Sequence, residues 1–384
     1  MAAPRTQRSA SAPDLDVDVL IDDRDTRIIV CCGAGGVGKT TTAAAIAVRA
    51  AEAGRHVVVL TIDPARRLAQ ALGLAELDNT PRPVDTVDAS AGGSLDAMML
   101  DMKRTFDDVV LAHSTPEKAE QIFANPFYQS LSSSFAGTQE YMAMEKLGQL
   151  KASGEWELVV VDTPPTRSAL DFLDAPQNLS HFLDGRLLRL LLAPARTGGK
   201  LGMKVMNASI GIFSRTIGKV LGGQLLNDVS QFVGALETMF GGFRDRASQT
   251  YEMLAAPGTA FVVVAIPEAA ALREASYFVD RLAEEEMPLA GLVLNRVHTN
   301  PAPALTGERA IAAAESLREH GEADDLTGGL LRLHADRAAA ASRDHRLRER
   351  FTRAHPEVLV AVVAARAGDV HDLDGLREVG AEIA

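Results

Sequence analysis

The sequence predicts an α/β protein: a doubly wound, mostly parallel sheet of about seven strands carrying a phosphate loop, with a helical insertion. Three observations carry that prediction. Short continuous apolar runs alternate with helical segments, the pattern of strands covered on both faces. The stretch Gly33-Ala34-Gly35-Gly36-Val37-Gly38-Lys39-Thr40 fits G-x-x-x-x-G-K-[ST] and stands between such a run and a helix. Two later runs, His56 to Asp63 and Trp156 to Pro165, carry an aspartate at or near their C-terminal end, the edge where open α/β sheets gather ligands.

Arg27 to Cys32 (RIIVCC) enters the loop as a buried strand, and Thr41 to Ala53 leaves it as an Ala-rich helix free of Gly and Pro. Glycines let backbone N–H groups crowd a phosphate where a side chain would block approach. The helix N-terminus adds its positive dipole end, Lys39 reaches the outer phosphates and the Thr40 hydroxyl ligates Mg²⁺. In HVVVLTID, Pro64 stops the strand and leaves the Asp63 carboxylate at the sheet edge. Arg66 to Leu77 reads as helix, Asn79 to Gly93 as surface loop and Leu95 to Leu100 as strand. Asp101 to Gly154 is mostly helical, with Gly137 to Leu147 on one helix. The strand that follows closes on Asp162, the expected second Mg²⁺ partner, directly or through water; the plain alternative is a surface carboxylate.

Ala175 to Ala255 changes character, with the apolar run LLRLLL, a Gly-punctuated stretch containing Met203 and Met206, and an amphipathic helix from Leu225 to Phe240. Ordinary helix packing is the plainer reading of its methionines, and an adaptable client groove the sharper one. The α/β rhythm returns with strands at Thr259 to Pro267, Leu289 to Val297 and Val358 to Ala364. Helices run through Glu286, from Ala304 to Glu319, from Gly328 to Phe351 and from Asp372 to Ala384. The organisation expected is a flexible tail over 1–24, a core of 25–100, 155–172 and 258–384, and a helical subdomain of 101–154 and 173–257.

Composition narrows the function. A net charge of −12 argues against nucleic acid as a partner, because phosphate neutralisation needs concentrated Lys and Arg. The two cysteines, Cys31 and Cys32, are strand neighbours that point to opposite faces, so they read as buried small hydrophobes in a reducing compartment. No apolar run reaches the length of a membrane span and the first residues lack an apolar leader core, which places the protein in the cytoplasm.

Three blocks together resemble one family. GAGGVGKT, the TIDPA block at Thr61 to Ala65 and VVVDTPPT at Val159 to Thr166 are similar to those of the arsenite-pump and tail-anchored-protein-targeting ATPases, in the SIMIBI class of dimerising NTPases. Gly137, Glu140 and Asn295 fit the same pattern, and the resemblance covers about Arg27 to Ala384. It implies that Gly35, Gly36, Val37, Gly38, Lys39, Thr40 and Thr41 cradle the phosphates of ATP and that Thr40 and Asp162 manage Mg²⁺. It further implies that Asp63 orients or deprotonates the attacking water, with Lys39 beside it in catalysis, that Asn295 reads adenine, and that the segment holding Ala364 and Arg366 covers the base.

The chain departs from that family at four places. Ala34 stands where a second lysine would reach across a dimer, Arg67 replaces an Asn, the His after the second switch block is missing, and there is no zinc-holding CxxC. The resemblance implies an ATP-hydrolysing switch that couples a dimer's opening and closing to a hydrophobic client or a membrane-protein partner. With Ala34, the partner chain is either a second copy in a slow homodimer or a lysine-bearing paralogue. An arginine at 66 or 67 replacing the charge in cis is the plainer alternative. Two other classes are a partitioning or division-site organiser, weakened by the acidic charge, and a small-molecule kinase, for which no acceptor site is identified. With no cysteine outside the loop strand, thiolate capture of arsenite is not expected.

Overall fold

The computed structural model describes residues 14–62, 67–125, 128–129, 138–164, 246, 248–319 and 325–384. The strands are β1 (Ile28–Cys32), β2 (His56–Thr61), β3 (Arg82–Pro83), β4 (Ser94–Met99), β5 (Leu158–Asp162), β6 (Thr259–Ala265), β7 (Leu289–Val297) and β8 (Val360–Ala364). They form one sheet in the order β3-β4-β2-β5-β1-β6-β7-β8, parallel throughout except for the β3–β4 pair. The fold class is therefore the one the sequence predicts, with one strand more. β3 is two residues inside the expected surface loop, too short to show alternation, and its Pro83 is tolerated because it lies at the sheet edge.

The helices are α1 (Val17–Asp22), α2 (Lys39–Glu52), α3 (Arg67–Ala71), α4 (Met102–His113), α5 (Pro116–Phe123), α6 (Thr138–Ser153), α7 (Ala269–Glu284), α8 (Gly307–Glu319), α9 (Asp325–Ala354) and α10 (Leu373–Glu382). Side-chain alternation along the strands divides the core in two. Ile28, Val30 and Cys32 of β1 face one apolar cluster with α4, α5, α6, α7 and α9, while Ile29 and Cys31 face a second with α1, α2, α3 and α10. Helices α4 to α6 share the sheet's own cluster. Residues 173–257, the second part of the expected helical subdomain, lie almost wholly outside the described residues, including the Leu225 to Phe240 helix. α3 ends at Ala71, short of the expected Leu77, where the chain turns through Gly73 at φ +69°.

The expected tail is corrected over residues 14–24, while residues 1–13 lie outside the described residues. Val17 and Ile21, one helical turn apart, are buried, and the Asp16 side chain accepts from Asp18 N at 2.9 Å to start α1. The acidic composition hid this short apolar face. Arg55 holds it down: the fully buried guanidinium donates to the carbonyls of Ile21 (3.0 Å), Thr26 (2.7 Å) and Glu157 (3.1 Å). Val17 N also donates to Ile383 O at 2.9 Å, which joins α1 to the end of α10 over the back of α2. Among the described residues no helix is long and apolar enough to cross a membrane.

Candidate active site

β1 delivers the chain into the glycine-rich turn, where close approach dictates residue type. At Gly33 (φ +147°) a Cβ would stand 2.2 Å from the Val264 carbonyl oxygen of β6. At Gly38 (φ +98°) it would stand 2.2 Å from Asn295 Nδ2. The turn thus lies against the ends of β6 and β7 with no room for a side chain at Gly33 or Gly38. Gly35 and Gly36 are exposed at its crest, and Val37 is buried as its plug. α2 begins at Lys39 with Gly38 as N-cap and no side-chain cap, so no side chain competes for the N–H groups of the first turn. Thr41 lies half-buried in that turn. Lys39 is 6% exposed and its Nζ donates to Ala34 O at 2.8 Å, which keeps the ammonium inside the curve of the loop. The cradle fits a polyphosphate: positive φ, an uncapped helix start and an enclosed lysine.

Beside the loop lies a buried carboxylate. Asp162 is fully buried, and its Oδ2 accepts from Thr40 Oγ1 at 2.7 Å and from Thr61 Oγ1 at 2.9 Å. Register explains the meeting: Cys31 pairs with Asp162 across β1–β5, and Thr61 pairs with Asp162 across β2–β5, so three strands finish level. The Thr40 hydroxyl and the Asp162 carboxylate are hard oxygen donors, the set that suits Mg²⁺. Thr61 is the residue that sequence reasoning missed. Its only local sign is a hydroxyl at the last strand position before Ile62-Asp63.

Asp63 itself lies outside the described residues, as do Pro64, Ala65 and Arg66. The described chain stops one residue short of it, with Ile62 N donating to Asp162 O at 3.0 Å. Arg67 is exposed at the start of α3. Asn295 is brought to the loop: its Nδ2 donates to Val37 O at 2.9 Å, and its Oδ1 accepts from Arg296 N at 2.8 Å. One amide hydrogen and one carbonyl lone pair remain for a base. Ala364 and Arg366 are tied to α10 instead. Ala364 N donates to Glu382 Oε2 at 2.6 Å, and Arg366 pairs with Glu378 and with Glu382. Gly137 and the residues after Pro164, including Thr166, lie outside the described residues.

Both thiols are sealed behind the site. Burial pushes the Cys31 thiol well up, helped by the Asp162 charge, and pushes Cys32 up to about 12. Neither supplies a thiolate for a soft ion. Among the described residues no three His, Cys, Asp or Glu side chains gather as a metal cluster.

A parallel sheet whose first strand–helix turn is a glycine cradle, with a serving lysine and a hydroxyl–carboxylate pair at its rim, defines the phosphate-loop nucleotide hydrolases. Within that class the chain belongs to the anion-transporting ATPase family, whose model matches residues 26–304. It is similar to ATPase ARSA2 of Chlamydomonas reinhardtii, 28% identical over 293 residues, which are 75% of this chain and 73% of the relative. It is likewise similar to ATPase GET3 of Podospora anserina, 28% identical over 279 residues (72% of this chain, 75% of the relative). ATPase get3 of Neurospora crassa is 26% identical over 279 residues, with the same coverage. The protein is an ATP-binding, ATP-hydrolysing enzyme, and the resemblance carried by the three sequence blocks holds.

Proposed function

We propose that the chain is a nucleotide switch: ATP with Mg²⁺ in the loop closes a dimer, hydrolysis reopens it, and the cycle works on a hydrophobic client or a membrane-protein partner from the cytoplasm. The observation that carries the reading is the meeting of Thr40, Thr61 and Asp162. It links the helix after the phosphate loop, the strand that leads to Asp63 and the strand that leads to Pro164 through one carboxylate oxygen. A change at the phosphates is felt at once by both segments that follow those strands.

In this reading Gly35 through Thr41 hold the phosphates, Lys39 neutralises the charge that develops on them, and Asp63 orients or deprotonates the attacking water. Thr40 and Asp162 would hold Mg²⁺, which supplies further charge neutralisation when bound. Phosphoryl transfer asks mainly for such positioning and electrostatics. Asn295 braces the loop and reads adenine, and Ala364 and Arg366 lie in the segment that covers the base.

The test is phosphate release measured beside the molecular mass in solution. Free phosphate, with a mass that rises to two chains in ATP and falls in ADP, supports the switch. A phosphorylated metabolite as product would make the protein a kinase. A mass indifferent to nucleotide would remove the dimer cycle while leaving hydrolysis intact. Copurified peptides of no apolar character would remove the hydrophobic client.

A further inference from the structure

A cleft of about 750 Å³ opens where β6 and β7 end, walled by α9 on the side of the sheet away from α2. That volume lies within the range of sites for small ligands. At its base Asp344, 1% exposed, accepts from His298 N at 2.9 Å, with His298 Nδ1 2.7 Å from the same carboxylate oxygen. Around it stand Arg296, Arg343, Arg346 and Arg350, against the carboxylates of only Glu268 and Asp344 among the described residues. Ile266, Pro267 and Leu347 add an apolar wall.

Pairing differs among the arginines of this part of the chain. Nearby Arg348 and Arg353 meet Asp14 and Glu349, and Arg366 and Arg377 each hold two acids. Arg296, Arg346 and Arg350 have no ion-pair partner among the described residues. Arg343 reaches only Asp344, at 3.9 Å, which His298 already engages. Arg296 sits at φ +57°, a conformation that L side chains adopt at a cost, where the β7–β8 register shifts. In a chain of net charge −12, four guanidinium groups thus line one concavity, three of them without an ion pair among the described residues. Guanidinium forks match phosphate oxygens in pairs.

We propose that this cleft binds a small ligand carrying a diphosphate, at a site separate from the phosphate loop. Inorganic pyrophosphate is the probe, titrated calorimetrically into the full chain. Two equivalents bind. Lys39→Ala removes one, and the combined Arg343→Gln, Arg346→Gln, Arg350→Gln variant weakens the other by about tenfold or more while ADP affinity stays within about twofold. Should the triple variant fail to fold, Arg346→Glu alone weakens the second equivalent by about fivefold. Vesicles bearing a lipid whose headgroup is a diphosphate separate two sources of the same chemistry: displacement of pyrophosphate assigns the cleft to a lipid headgroup, and none assigns it to a soluble diphosphate. A single equivalent that vanishes in Lys39→Ala overturns the proposal, as does a second equivalent untouched by the arginine substitutions.

Discussion

The side-chain amide of Asn295, at the end of β7, donates to the carbonyl oxygen of Val37 in the phosphate loop, 258 positions away in the chain. The bond closes the loop against the strand and brings the amide close enough to Gly38 that only glycine fits there. Asn295→Ala removes the neutral hydrogen bond that braces the loop, about 1 kcal/mol, together with the one from Arg296 N, so ATP affinity should fall about fivefold or more and amide exchange at 35–38 should quicken. GTP binding should fall less, because it loses the brace but no adenine contact. Equal losses for the two nucleotides would leave the amide as a brace only.

Asp162→Asn keeps the volume of the buried group but removes the charge that Thr40 and Thr61 address. Phosphate release should drop about 10²- to 10³-fold, and the Mg²⁺ concentration for half-maximal rate should rise. Melting should move little, since an amide oxygen still accepts both hydroxyls. An unaltered magnesium dependence would take Asp162 out of the metal's surroundings.

Ala34 occupies the place where a lysine in related chains is expected to serve the partner's nucleotide. Ala34→Lys should raise turnover of the isolated chain by about tenfold or more, a modest part of the roughly 10³- to 10⁵-fold that a trans cation can supply in phosphoryl transfer. The carbonyl of residue 34 still receives Lys39, so the substitution leaves that contact in place. Steady-state rates measured at several protein concentrations are the check, and an identical rate would favour an arginine in cis.

Asp18 is held below the usual carboxylate range by its hydrogen bonds from Arg49, and that pair fastens α1 to α2. A depressed acid contributes stability that is present above its unfolded value and lost as the pH falls through the folded one. The melting difference between wild type and Asp18→Asn should therefore hold at neutral pH and close below about pH 4. A difference that persists in acid would mean that the pair is not the source.

Much of this fold is legible locally. β1, β2, β5 and β6 announce themselves as short apolar runs, and the glycine spacing from Gly33 to Gly38 demands a turn around an anion. What escapes is set by strand order. Thr61 meets Asp162 because β2 and β5 are neighbours in space, and no pattern near Thr61 states that adjacency. The same holds for Arg55, which reads as a charged residue after a helix and is wholly interior because four separate carbonyls, those of Ile21, Asp23, Thr26 and Glu157, converge on it. β3 and α1 are too brief for periodicity to register.

The contact between Val17 and Ile383 has a consequence for biosynthesis. The apolar back of α2 is covered by α1 and by α10, with Gly380 lying 3.5 Å (as a built Cβ) from the Ala45 carbonyl. During translation the nucleotide-holding helix thus stays uncovered along one flank until some three hundred further residues have left the ribosome, roughly fifteen seconds or more at ordinary elongation speed. For that interval an Ala-rich greasy flank is open to chaperones.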